Sequence, residues 1–313
     1  MTSDIRNQKS DILLCPGQGA QHVGMGKAWA DRFPVAAATF DEADKALGYP
    51  LSKLCFEGPE DELNKTDRAQ VAIYVTSVAC HRALKEDGKL GTMVAAAGLS
   101  LGEFTALHLG GAFDFLSGLR LVKLRGEGMP AAAEASPRSM VALVGADEHQ
   151  ADELCKKTLA TLGEGEVLVP ANYNCPGQIV ISGSKAACDA SLTVAGELGL
   201  RATPLKVAGA FHSPIMQPAA DRLSEALDKT EWFGLHCPVL SNVTGTPHEG
   251  EIDSIKKRLV EQLTSPVRWG SSIQLAIANL PGQFVELAPG KVLSGLMRRI
   301  DKATKVENHA EPA

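Results

Sequence analysis

No apolar run in the 313-residue chain approaches the roughly 20 residues needed to span a bilayer, so no membrane segment is expected. Met1 to Ser10 is polar, carries only Arg6 and Lys9, and lacks the apolar core of a secretory signal; two cations are too few for a transit peptide. The seven cysteines (Cys15, Cys55, Cys80, Cys155, Cys175, Cys188, Cys237) are scattered and odd in number. Without a C-x-x-C or a Cys/His cluster, neither a disulfide framework nor a zinc site is indicated. Reduced thiols in a cytoplasmic protein are the simple expectation. A single G-x-G at Gly17 and Gly19 is followed by no Gly-Lys-Ser/Thr, so a phosphate loop is not expected. Basic residues are the minority, with 31 Lys and Arg against 37 Asp and Glu, and the net charge of -6 argues against general nucleic-acid binding. Internal repeats and low-complexity segments are lacking too.

What remains is the composition of a soluble globular enzyme, 44% hydrophobic and 22% charged, with length for a large core and two domains. The chain is organised around Thr92 to Leu107. Thr92 to Ala97 reads as a buried strand, Gly98-Leu-Ser-Leu-Gly102 as a sharp turn, and Glu103 to Leu109 as a helix. Strand, G-x-S-x-G, helix is the setting that lifts a serine onto a strained elbow above a sheet edge. Helical N–H groups beside it suit a developing oxyanion. A plain N-cap serine would account for the turn but for neither flanking glycine. Ser100 is the candidate nucleophile.

Along the rest of the chain, Asp11 to Cys15 predicts a strand entering the small-residue loop Pro16 to Gln21. Ala28 to Leu47 predicts a helix broken near Pro34, Ala69 to Lys85 a long helix, and Phe115 to Gly128 a helix carrying Arg120, Lys123 and Arg125. The middle changes character. Strands at Met140 to Val144, Val167 to Asn172, Gln178 to Ser182 and Ala202 to Val207 alternate with helices at Asp147 to Leu162 and Lys185 to Leu198. That β-α-β-β-α-β order is the ferredoxin-like pattern. It divides an α/β core, residues 1–137 and 209–313, from an inserted subdomain, residues 138–208, with junctions at Pro137-Arg138 and Gly209-Ala210. Beyond it come a helix at Ile215 to Leu227, strands at Val239 to Asn242 and Phe284 to Leu287, and helices at Ser254 to Leu263, Ser271 to Ala278 and Leu293 to Asp301. The polar tail after Lys305 is expected to be disordered.

A serine hydroxyl needs a base, and eight histidines are available. His81, His108 and His149 fall in predicted helices. His212 lies on a loop before Pro214, where a rigid scaffold collects catalytic groups, but the residues alone leave it among competitors, and no aspartate stands out as a third member. Arg125 is either a buried clamp for a carboxylate or a surface cation paired with Glu127. Arg298, Arg299, Lys302 and Lys305 form a basic cluster for which a solvated helix face is the favoured reading over a local binding patch.

Taken together, the motifs resemble a known family. Pro16-Gly-Gln-Gly-Ala-Gln21, Gly98-Leu-Ser-Leu-Gly-Glu103, Arg125-Gly126, Asn172-Tyr-Asn-Cys-Pro-Gly-Gln178, Ala210-Phe-His-Ser213, Gln262-Leu-Thr-Ser-Pro-Val-Arg-Trp269 and Pro289-Gly-Lys-Val-Leu-Ser-Gly295 stand in the order found in malonyl-CoA:acyl carrier protein transacylases of fatty-acid synthesis and the acyltransferase domains of polyketide synthases. The resemblance implies an α/β-hydrolase-like core with a ferredoxin-like insert and an active site in the cleft between them. It implies a ping-pong transfer in which Ser100 takes the malonyl group from malonyl-CoA and passes it to the thiol of holo acyl carrier protein, with His212 as base. The histidine would be oriented by a backbone carbonyl near Gln262, the oxyanion hole would be the N–H groups of Gln18 and Leu101, and Arg125 would hold the free malonyl carboxylate. Phe211 would crowd a 2-methyl branch, and Asn174 and Gln178 would line or support the cleft. Coenzyme A would leave as product, with no bound cofactor or metal. The acidic carrier would meet a basic rim at Arg298, Arg299, Lys302 and Lys291, and the enzyme is expected to be a monomer. Leu99 stands where the family usually has His before the nucleophile, and Gly209 departs similarly.

The competing reading is a serine esterase or thioesterase, which would need an acidic residue between Ser100 and His212. Asp147, Asp152 and Asp189 fall in predicted insert helices. A separate acyltransferase feeding a polyketide synthase would use the same residues, and a non-catalytic docking module would need none of them.

Overall fold

The computed structural model describes residues 9–133, 138–205 and 209–313; Pro137 and Val207, expected at a junction and a strand end, lie outside them. The first sheet contains β1 (Ser10–Cys15), β2 (Thr92–Gly98), β7 (Val239–Leu240), β8 (Gln283–Leu287) and β9 (Val306–His309). Its order is β7-β2-β1-β8-β9 and every pairing is parallel. Strands covered on both faces need apolar side chains on both, and the near-continuous burial of Asp11 to Cys15 and Ala95 to Gly98 follows from that.

Five helices separate β1 from β2: α1 (Lys27–Arg32), α2 (Pro34–Leu47), α3 (Leu51–Glu57), α4 (Glu60–Leu63) and α5 (Thr66–Glu86). The break expected near Pro34 is the α1/α2 boundary, where proline opens the second helix. The long helix α5 lies in the core and buries fifteen side chains, including the amide of Gln70. After β2 come α6 (Leu101–Leu109) and α7 (Phe115–Ala133).

The second sheet is antiparallel and contains β3 (Arg138–Val144), β4 (Leu168–Cys175), β5 (Gln178–Ser184) and β6 (Arg201–Pro204), in the order β4-β5-β3-β6. With α8 (Glu148–Ala160) after β3 and α9 (Lys185–Glu197) after β5, it is the expected ferredoxin-like arrangement. A capping box between Asp147 and Gln150 starts α8. Strand alternation divides the labour of this sheet. Val141, Leu143, Ile179 and Ile181 join the core of α8 and α9, while Met140, Ala171 and Val180 point into the main core.

The chain returns through α10 (Gln217–Asp228), α11 (Ile252–Thr264), α12 (Trp269–Asn279) and α13 (Val292–Ile300). One expectation fails. The tail after Lys305 is ordered as β9, which pairs with β8 from Phe284↔Val306 to Leu287↔His309. Trp29 Nε1 donates to Ala310 O at 3.3 Å, and Glu307 pairs with Lys9 at 2.9 Å. A short polar edge strand lacks a hydrophobic run, so its composition does not announce it. Truncation after Lys305 should therefore lower stability by about 2 kcal/mol or more, the worth of a few hydrogen bonds and a covered edge. An unchanged melting temperature would show that β9 contributes nothing.

Candidate active site

The parallel strands end on one side of their sheet, where α/β folds place ligands. Cys15 is level with Gly98, so the loop after β1 meets the turn after β2. Leu99 N donates to Cys15 O at 3.1 Å. The elbow glycines are required by this crowding. A Cβ on Gly102 would lie 2.0 Å from Cys15 O, and one on Gly98 would lie 1.9 Å from the Gly102 carbonyl. Ser100 between them has φ 54° and ψ -104°, a backbone that non-glycine residues rarely adopt. Its N–H is held by Asn242 Oδ1 at 2.6 Å, and Asn242 Nδ2 donates to Gly98 O at 2.7 Å.

Ser100 Oγ lies 2.8 Å from His212 Nε2. His212 Nδ1 lies 2.7 Å from the carbonyl oxygen of Gln262, which accepts only, so Nδ1 carries the hydrogen and Nε2 is free to accept. Burial, with Arg125 nearby, lowers the His212 pKa to about 4, against the opposing hydrogen bond to Gln262. The imidazole is neutral at pH 7 and able to take a proton. Asp147 caps α8, Asp189 pairs with Lys185, and Asp152 lies on α8, all in the small subdomain. The place of a third catalytic acid is taken by a backbone carbonyl.

Arg125 is buried on α7 and is not the partner of Glu127, which pairs with Lys123. It donates to Gln70 Oε1 at 2.6 Å, Ser100 Oγ at 2.9 Å and Gln262 Oε1 at 3.0 Å. Burial lowers its pKa to about 10 while Glu103 raises it, so it stays cationic. Its Nε is buried without an acceptor among the described residues. Gln262 Nε2 donates to Ser100 O at 2.9 Å and to Glu103 Oε2 at 2.6 Å.

A cavity of about 550 Å³ opens over these groups. Gln18, Leu99, Ser100, Arg125, Met129, Phe211 and His212 line it from the large part of the chain, and Met140, Asn172 and Val180 from the small sheet. Gln18, Leu99, Ser100, Arg125, Phe211 and His212 are thus gathered where expected. Leu101 opens α6, and its N–H belongs to the first helical turn, which has no intrahelical acceptor. Gln262 lies behind Ser100 and His212. Asn174 and Gln178 do not line the cavity; Asn172 does, and Gln178 Oε1 instead accepts from Arg299 at 2.7 Å. Bulges between Pro170 and Asn172 and between Tyr173 and Cys175 break the alternation that would have put Asn172 and Asn174 on one face. Glu103, Asn242, His248 and Gln70 are supporting residues that the sequence reading missed. Gln70, an amide inside an apolar helix, and Glu103, beside the elbow, carried a signal; Asn242 and His248 carried none.

Residues 12–310 match the family model for the acyl transferase domain. The chain belongs to the acyltransferase family. The acyltransferase is 43% identical over 301 residues to the malonyl CoA-acyl carrier protein transacylase of Bacillus subtilis, covering 96% of this chain and 93% of that one. It is 40% identical to the protein of the same name from Escherichia coli K12, covering 92% of each. Among solved structures, a malonyl-CoA:acyl carrier protein transacylase from Xanthomonas oryzae superposes with TM-score 0.91 at 38% identity, covering 98% and 96%. A malonyl-transacylase in complex with a type II polyketide acyl-carrier protein does so with TM-score 0.91 at 37% identity, covering 97% and 96%.

The His212 pKa makes a testable link to stability. Above about 6.5 the imidazole is neutral folded and unfolded; as pH falls toward about 4 only the unfolded chain takes the proton, so stability is lost across that window. In His212→Gln the decline in denaturation midpoint from pH 6.5 to pH 4 should be shallower than in the natural chain. An equally steep decline would mean that the imidazole titrates ordinarily.

Proposed function

We propose that the protein transfers a malonyl group from malonyl-CoA to the phosphopantetheine thiol of acyl carrier protein, for fatty-acid synthesis. The buried Arg125 beside Ser100 carries this reading, because a guanidinium in an acyl cavity calls for an acyl group with its own carboxylate. The named relatives support the same substrate pair.

Ser100 Oγ attacks the thioester carbonyl while its proton passes to His212 Nε2. The N–H groups of Gln18 and Leu101 receive the oxyanion, a donor pair in which each member is worth about 3 kcal/mol of barrier. As the C–S bond breaks, His212 returns the proton to the departing coenzyme A thiolate, leaving malonyl-Ser100. In the second half the carrier thiol gives its proton to His212, attacks the ester, and regenerates the serine. Arg125 holds the free carboxylate throughout, its donors in reach of the serine oxygen. Phe211 at the cavity wall limits branching at C2. No bound cofactor or metal enters these steps. Residues 138–208 form the ferredoxin-like small subdomain in this reading, residues 1–137 and 209–313 the catalytic core, and the enzyme acts as a cytoplasmic monomer.

An esterase has no use for Arg125, and His212 rests on a carbonyl, which weighs against the hydrolase reading. The experiment is intact-protein mass spectrometry after brief exposure to malonyl-CoA or acetyl-CoA. The natural chain should gain one malonyl group and little acetyl, Ser100→Ala should gain neither, and Arg125→Ala should lose the preference. Steady release of malonate without an adduct would favour a hydrolase.

For the carrier, Lys291, Arg298, Arg299 and Lys302 are exposed, and Arg298 and Arg299 reach a carbonyl and an amide oxygen rather than a carboxylate. Lys291 follows Gly290, which packs against Ala20 beside the cavity-lining Gly19 and Gln21. Arg298→Glu with Arg299→Glu should lower carrier kcat/KM about tenfold and flatten its salt dependence, leaving acylation by malonyl-CoA unchanged. Unaltered carrier kinetics would place the docking surface elsewhere.

A further inference from the structure

Behind the site lies a buried pair that the reaction above does not use. His248 follows β7, its N–H donating to Val239 O at 2.8 Å, and its side chain is fully buried against the equally buried Glu103. His248 Nε2 lies 2.7 Å from Glu103 Oε1, and His248 Nδ1 is buried with no partner among the described residues. A hydrogen on Nδ1 would be an orphaned buried donor, so the geometry favours the ring with its hydrogen on Nε2 alone, donated to the carboxylate.

Glu103 in turn accepts from Gln262 Nε2 at 2.6 Å and from Asn242 N at 3.2 Å through its other oxygen. The two ends of a glutamine amide are chemically different, and a carboxylate oxygen can be met only by the NH₂ end. Glu103 and the Ser100 carbonyl, both of which can only accept, therefore fix together which way the Gln262 amide faces, Glu103 through the shorter bond. With Nε2 committed to Glu103 and to Ser100 O, only Oε1 is left to face Arg125. Released from Glu103, the amide keeps only the single hydrogen bond to Ser100 O to hold its NH₂ end away from the guanidinium.

We propose that His248 is a positioning residue for acyl selection: by holding Glu103 in one rotamer it fixes the Gln262 amide and, through it, the Arg125 guanidinium that takes the substrate carboxylate. This rests on the malonyl-transfer reading. His248 touches neither substrate nor Ser100, and its influence reaches Arg125 through Glu103 and Gln262, by three hydrogen bonds.

The test compares rates of Ser100 acylation by malonyl-CoA and acetyl-CoA in His248→Leu, His248→Gln and His248→Asn. Leu removes the donor. Gln carries an NH₂ group about as far from the backbone as Nε2 of the ring, whereas Asn is too short. His248→Leu should lose about tenfold of the malonyl-over-acetyl preference, and do so chiefly through KM for malonyl-CoA. His248→Gln should restore the preference, and His248→Asn should not. A lower melting temperature with preference and KM unchanged would make His248 a structural residue and overturn the proposal. If His248→Leu does not fold, equal preference in the Gln and Asn variants overturns it just as well. A natural chain that forms no malonyl adduct would overturn the functional reading and this proposal with it, an outcome visible before any variant is made.

Discussion

One amide holds the site together. Gln262 gives its backbone carbonyl to His212 Nδ1, its Oε1 to Arg125, and its Nε2 to both Ser100 O and Glu103. The base, the cation and the elbow are thereby referred to a single residue on α11. That residue occupies a core position: Ile255, Leu259, Gln262 and Leu263 are the buried face of the helix. Hydrophobic packing of α11 thus sets the place of a polar group, and the hydrogen-bonding asymmetry of an amide sets everything attached to it. Both ends of the Gln262 amide are satisfied, so turning it would strand a buried donor or acceptor.

The second sheet contributes by its alternation. Its outer residues make a small core with α8 and α9, and its inner ones, Met140 and Val180, complete the cavity wall opposite the nucleophile. The parallel sheet supplies reacting groups at its strand ends, and the antiparallel sheet supplies shape. The cavity wall from the insert thus carries Met140 and Val180 with the amide of Asn172, facing Ser100, His212 and Arg125.

Much of this was legible in the sequence because local rules wrote it. The elbow is visible since only glycine tolerates the approach of Gly102 to the Cys15 carbonyl. The insert is visible since its strands alternate and its helices do not. His212 and Arg125 were open among the residues alone and became definite only through the resemblance of the whole motif set. The supporting polar residues were harder. Its place beside the elbow marks Glu103, but nothing local tells that it is enclosed or that His248 meets it across the chain. Asn172 and not Asn174 lines the cavity because bulges in β4 shift the faces, and bulges leave little mark in composition. The strand β9 was missed for want of hydrophobic residues.

Ser100 and His212 are the two non-glycine residues in the left-handed region among those described, with φ of 54° and 56°. Both reacting groups therefore sit where their own backbones would rather not be, held there by neighbours that are themselves well packed. The fold acts on its two chemical residues as a clamp acts on a bent spring. Relaxation of either backbone would move the hydroxyl away from the imidazole, so the 2.8 Å contact between them lasts only as long as the surrounding chain stays folded tightly enough to enforce it.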